Sequence, residues 1–181
     1  ARPPCCARPV WTSWLRWGLV MAAESETGPV AATMRPGRLV LIPTPLDLGS
    51  GHQTELRLQL PDAALVRAAG LQHWVVENAK SARAFLKRVG AVHPLVAPLQ
   101  ELRIVELPRA TAVARPGRAS ADTTIWPALL EPALQGHDLG LMSEAGLPAV
   151  ADPGHRLVAE AHAQGVTVES WAGPNSLMLA P

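Results

Sequence analysis

Arg38-Leu39-Val40-Leu41-Ile42-Pro43 is an apolar run behind a single charged residue, halted by Thr44-Pro45. A strand wet on one face would alternate apolar with polar residues. This one does not, so it reads as buried on both faces of a parallel sheet. It stops because proline has no amide hydrogen to give to a ladder. Outward from this run, the same rhythm repeats toward the C-terminus. Asp62–Ala69 reads as a short helix closed by Gly70, and His73–Val76 as a second strand. Asn78 can cap a helix over residues 79–89 that ends at Gly90. On it Ala82, Phe85, Leu86 and Val89 form an apolar stripe, while Lys80, Arg83 and Lys87 share another face.

The stretch 99–107 is ambiguous, with a third strand expected around Arg103–Glu106; residues 109–118 read as an arginine-bearing loop. Residues 123–134 are expected to be mostly helical, limited by Pro127 and Pro132. Residues 138–143 read as a strand entering a Gly/Pro loop. Asp152 is the expected N-cap of the next helix and Pro153 its first residue. That helix turns Leu157, Val158 and Ala161 inward, pairs Arg156 with Glu160 outside, and ends at Gly165. Residues 166–171 form the next strand, and Gly173-Pro174-Asn175-Ser176 opens a further helix. Such alternation predicts an α/β fold with a doubly wound, mainly parallel sheet.

Residues 1–33 lack this pattern and hold Cys5, Cys6, Trp11, Trp14 and Trp17. An irregular extension, non-native or mis-assigned, is favoured there over a targeting segment or a genuine arm, because Arg16 interrupts the apolar stretch. Residues 34–181 are then the α/β domain, expected to be the front part of a longer protein because its last helix has only begun at Pro181. The 181 residues are 48% hydrophobic, too apolar for a disordered chain. Sixteen basic residues against 15 acidic ones give a net charge of +1, which excludes nucleic-acid binding by overall charge but allows a local basic patch. Adjacent Cys5 and Cys6 offer neither a disulfide framework nor zinc spacing, and no apolar run is long enough for a membrane span. A cytoplasmic protein without metal or membrane partners is expected.

In open α/β sheets ligands bind at the carboxyl ends of strands. Three such ends carry unusual sequence: Thr44-Pro45-Leu46-Asp47-Leu48-Gly49, then Ser143-Glu144-Ala145-Gly146-Leu147-Pro148-Ala149-Val150-Ala151-Asp152-Pro153-Gly154, and Ala172-Gly173-Pro174-Asn175-Ser176. Glycines admit a ligand close to backbone, and free amides at helix starts attract anions. Read singly, each is as well a tight turn; three on one sheet edge point to a binding cleft. There is no dinucleotide glycine fingerprint, phosphate-loop lysine, metalloprotease H-E-x-x-H or nucleophile elbow. His52, His73, His93, His137, His155 and His162 are scattered without metal spacing and read as surface or capping residues. Lys80, Arg83, Lys87 and Arg88, with Arg109, Arg115 and Arg118, offer either a solvated face or a contact for an RNA backbone.

The residue 143–154 loop, followed by residues 172–176, resembles the tetrapyrrole methylase superfamily. Within it the likeness is to the small-subunit ribosomal RNA cytidine 2′-O-methyltransferases, which read S-D-A-G-T-P-x-I-S-D-P-G, then P-G-P-S/C, after a strand ending T-P-I-G-N-L. The resemblance implies two α/β domains with S-adenosylmethionine between them, in homodimers. It places Pro45 at the cofactor's border. Met142, Ser143 and Glu144 would hold its amino-acid part or ribose, largely through backbone groups. Leu147 would pack on it, and Asn175 with Ser176 would close the methionine end. It also implies a second domain, expected beyond Pro181. Departures from the pattern are Asp47-Leu48-Gly49 for G-N-L, Glu77-Asn78-Ala79-Lys80 for E-D-T-R, Glu144 for Asp and Leu147 for Thr. The expected function is S-adenosylmethionine-dependent methyl transfer to a ribose 2′-hydroxyl of RNA. The alternatives are a non-catalytic cofactor-binding or interaction module and a methyltransferase with a non-RNA substrate. Asp47, Glu77 and Lys80 lie at the expected sheet edge, with no spacing that singles out a general base.

Overall fold

A computed structural model describes residues 35–45, 54–108, 125–150 and 152–175. The expectations for residues 1–33, for the 109–118 loop and for a helix continuing past Ser176 lie outside these residues. β1 (Arg38–Leu41), β2 (His73–Val76), β3 (Arg103–Glu106), β4 (Leu139–Met142) and β5 (Thr167–Ser170) form one sheet in the order β3-β2-β4-β1-β5. Every pairing is parallel, with Leu39 beside both Leu139 and Val168, and Val75 beside both Val105 and Leu141. The doubly wound α/β reading holds, and the sheet is wholly parallel among the described residues.

Strand periodicity sorts the core into two layers. Val40, Ile42, Trp74, Val76 and Met142 face one side, against Leu56 and Leu60, Leu65 and Ala68, and the stripe Ala82, Phe85, Leu86 and Val89. Apart from Leu60, the C-cap of α1, these belong to α1 (Leu56–Gln59), α2 (Asp62–Ala69) and α3 (Ala79–Val92). Leu39, Leu41, Val75, Leu139 and Leu141 face the other side, against Trp126, Ala133, Leu157 and Ala161. Those come from α4 (Ile125–Leu129), α5 (Glu131–Leu134) and α6 (Gly154–Ala163). Trp74 is fully buried and its indole N–H donates to the Leu71 carbonyl at 3.1 Å, so its polar edge costs nothing.

Several expectations need correction. α3 does not end at Gly90 but runs to Val92, with His93 as its C-cap. A Cβ at Gly90 would stand 3.2 Å from Leu95 Cγ, so this glycine serves the close return of the chain across the helix rather than its end. Residues 125–134 are mostly helical, as expected, in two short helices broken at Leu130. Pro132 has no amide to bond back into a preceding helix, and both prolines sit in first turns, where no such bond is needed. α6 starts at Gly154, with Pro153 rather than Asp152 in the N-cap position; Asp152 still accepts the Gly154 amide at 2.6 Å. Residues 171–175 are irregular, and α1 was not anticipated. His73 is neither a surface nor a capping residue. It is 9% exposed on β2, its ring 5.1 Å from that of His137.

Candidate functional site

The strand order fixes where a ligand can enter. β1 and β4 are neighbours, yet the chain leaves β1 toward β2 over one face and leaves β4 toward β5 over the other. The connections after these two strands therefore leave over opposite faces, and such a reversal of direction is where open α/β sheets bind ligands. Immediately beyond it Thr44 and Gly146 form an antiparallel bridge, with amide-to-carbonyl distances of 2.9 and 3.1 Å. The buried Thr44 hydroxyl donates to the Ser143 carbonyl at 3.3 Å. Gly146 adopts φ of 77°, which suits glycine at such a reversal.

The 143–154 loop is braced from within. The Ser143 hydroxyl donates to the Ala145 carbonyl at 3.2 Å. Asp152 accepts the amides of Ala149 (2.8 Å) and Gly154 (2.6 Å), and Ala149 is held with φ of 66°, rare for a residue with a Cβ. Burial raises the Asp152 carboxyl above its ordinary pKa, with the Glu77 charge adding to this and the two amides opposing it. The third loop joins the rim through Trp171, whose amide donates to the Leu41 carbonyl at 3.3 Å, and through Gly173. A Cβ there would lie 2.3 Å from Pro43 Cβ, so only glycine lets the β5 loop rest on the β1 loop.

The expected site residues that fall within the described segments each have a definite place. Pro45 is half-buried next to the Thr44 bridge, and Leu147 is half-buried beyond Gly146. Met142 is buried in the core, its carbonyl accepting the Glu77 amide at 3.2 Å, and Ser143 is buried with its hydroxyl engaged inside the loop. Glu144 is exposed, and Asn175 is half-buried in the irregular segment after β5. Ser176 and Asp47 lie outside the described residues. Glu77 and Lys80 are exposed at the end of β2 and the start of α3.

Sequence reading missed the contacts between Glu144 and the β2 end. The Glu144 amide donates to Glu77 Oε2 at 3.1 Å, and Asn78 Nδ2 donates to Glu144 Oε1 at 2.8 Å. The departures noted at both positions were the available signal. The side chains that meet at this contact include two exposed carboxylates, Glu77 and Glu144. That acceptor-rich set fits a ligand bearing an ammonium and ribose hydroxyls, as S-adenosylmethionine does. Past the rim, Lys80, Arg83 and Lys87 are exposed on α3. None of the three forms an ion pair among the described residues. Arg88 stands apart from them, half-buried and donating to the Thr54 carbonyl at 2.6 Å. Among the described residues there is no group of side chains suited to a metal ion, and no helix is long and apolar enough to cross a membrane.

No protein-family model matches the chain. Over 57 residues it is 35% identical to ribosomal RNA small subunit methyltransferase I of Halalkalibacterium halodurans, a match covering 32% of this chain and 20% of that protein. Over 62 residues it is 36% identical to the protein of the same name from Xylella fastidiosa, covering 34% of this chain and 23% of that one. The chain thus spans about a fifth of the length of these curated relatives. Over about a third of its own length, the sequence is similar to proteins named ribosomal RNA small subunit methyltransferase I, in keeping with the tetrapyrrole methylase likeness of its loops.

Proposed function

We propose that this rim is the methyl-donor half of an S-adenosylmethionine-dependent methyltransferase acting on a ribose 2′-hydroxyl of RNA in the cytoplasm. The observation that carries the reading is the meeting of the β1, β4 and β5 loops at one point of the sheet edge, through the Thr44–Gly146 bridge and the Gly173–Pro43 contact. The names of the relatives support methyl transfer to ribosomal RNA.

When bound, S-adenosylmethionine supplies a methyl group on an already electrophilic sulfonium, which leaves the protein a task of placement. Pro45 and Leu147 border the donor, and Glu144 accepts from its ribose hydroxyls or ammonium. Backbone of the 142–144 segment lines the donor, and Asn175 with Ser176 closes its methionine end. Lys80, Arg83 and Lys87 meet the phosphates of the acceptor RNA next to this rim.

Titration calorimetry with S-adenosylhomocysteine tests the reading, on this chain and on a form extended downstream. Saturable one-site binding is expected. Failure of both forms to bind overturns it.

A further inference from the structure

Two positions at which the sequence departs from the pattern it resembles, Asn78 and Glu144, are in direct contact. Asn78 closes β2 and caps α3. Its Oδ1 accepts the backbone amides of Lys80 at 2.9 Å and Ser81 at 3.4 Å. Backbone amides only donate, so the oxygen must face them, and this fixes the orientation of the side-chain amide. Its NH2 then has one direction left, and there it donates to Glu144 Oε1 at 2.8 Å. Next to it, Glu77 Oε2 accepts the Glu144 amide at 3.1 Å, and Glu106 Oε1 accepts the Ala79 amide at 2.7 Å. Glu144 is thereby held at both backbone and side chain by the two residues that follow β2, and its Oε2 has no protein partner among the described residues.

We propose that Asn78 is a positioning residue for the donor loop: its amide group locks the Glu144 carboxylate so that one oxygen is kept for the donor. The proposal rests on the methyl-donor reading for its ligand, but not for the latch itself. The chemistry makes the two positions interdependent. An aspartate at 78 would cap α3 as well as asparagine does, yet would set a second carboxylate against Glu144 where a donor is needed. A glutamine at 144 would reverse the bond, donating to that aspartate. The latch also ties the donor loop to the start of the helix that carries Lys80, Arg83 and Lys87.

The test is a double-mutant cycle of Asn78→Asp and Glu144→Gln in the full chain, with two measurements. In the unliganded protein, amide hydrogen exchange at Glu144 is expected to quicken on Asn78→Asp alone and to return on adding Glu144→Gln. Exchange at Lys80 and Ser81 stays slow throughout, because the cap survives. With S-adenosylhomocysteine as probe, Asn78→Asp is expected to weaken binding about tenfold when residue 144 is Glu and to have little effect when it is Gln. An equal effect of Asn78→Asp in both backgrounds, in exchange and in affinity, overturns the latch while leaving the donor reading intact. Absence of any binding by the unmodified chain and its extended form overturns the donor reading, and the exchange cycle then still decides the latch.

Discussion

Glu169 on β5 gathers several charge-assisted bonds away from the rim. Arg67 donates to it from Nε at 2.9 Å, Arg38 from Nη1 at 3.1 Å and Trp171 from its indole N–H at 2.7 Å. Arg67 also bonds Asp138 at 2.6 Å, so one guanidinium ties α2 to β5 and to the entrance of β4. The Arg67 bonds chiefly, and those from Arg38 and Trp171 next, hold the Glu169 carboxyl down at about 2, against an ordinary 4.5. A depressed carboxylate stabilises the fold fully above its unfolded pKa, and that contribution fades as pH falls from about 4.5 toward 2. His73 acts in the same direction at higher pH. Burial first, then the charges of His137 and Arg103, lower its pKa below 6.5, so the fold prefers the neutral ring and loses stability as pH falls beneath that value. Urea unfolding across pH separates the two. Glu169→Gln is expected to cost about 2 kcal/mol at pH 7 and to flatten the profile below pH 4.5. His73→Leu is expected to flatten it just below pH 6.5 instead. Unchanged profiles in both variants would contradict these roles. Neither role was legible in the sequence: nothing local to His73 distinguishes a buried imidazole from a surface one, and the partners of Glu169 lie as far away as residue 38.

At the scale of elements, legibility followed how local the deciding physics was. α2 and β2 have the bounds read from the sequence, because Pro61, Gly70 and a fully buried strand mark them within a few residues. The α3 stripe of Ala82, Phe85, Leu86 and Val89 was equally plain, since helical period is a local property. Its end was not, because Gly90 answers to Leu95 across a return of the chain. β3 stayed ambiguous for the opposite reason. It is an edge strand whose residues are exposed or half-buried, so no buried run announces it. α3 also carries a prediction of its own. Its exposed Lys80, Arg83 and Lys87 lie on a helix without a single acid, and the three together span about 10 Å along the axis. Replacing all three by Gln is expected to reduce the slope of log affinity against log salt for single-stranded RNA by about 2. The affinity for S-adenosylhomocysteine should stay as it is. An unaltered slope would remove α3 from the RNA contact.

For the whole molecule, chain order and spatial order diverge where the site lies. The loops after β1, β4 and β5 were each visible as unusual sequence, but their meeting depends on β4, β1 and β5 being consecutive neighbours in the sheet. Thr44 and Gly146 are 102 residues apart, and local pattern carries no information about such a pairing. Gly173 is where this long-range arrangement can be tested by one atom. A Cβ there would come 2.3 Å from Pro43 Cβ and 2.5 Å from its Cγ, too close for either ring or backbone to absorb without moving. Within a closed core, such overpacking costs about 1–3 kcal/mol. At the sheet edge the β5 loop can instead lift away from the β1 loop, because residues 171–175 are bound by no regular secondary structure. Gly173→Ala should therefore separate the rim's first and third loops while sparing both core layers. The expected outcome is a clear loss of S-adenosylhomocysteine affinity in calorimetry with a urea midpoint close to that of the unaltered protein. A lowered midpoint with unchanged affinity would mean that the contact serves the fold alone, and that the donor sits against the β1 and β4 loops without the third.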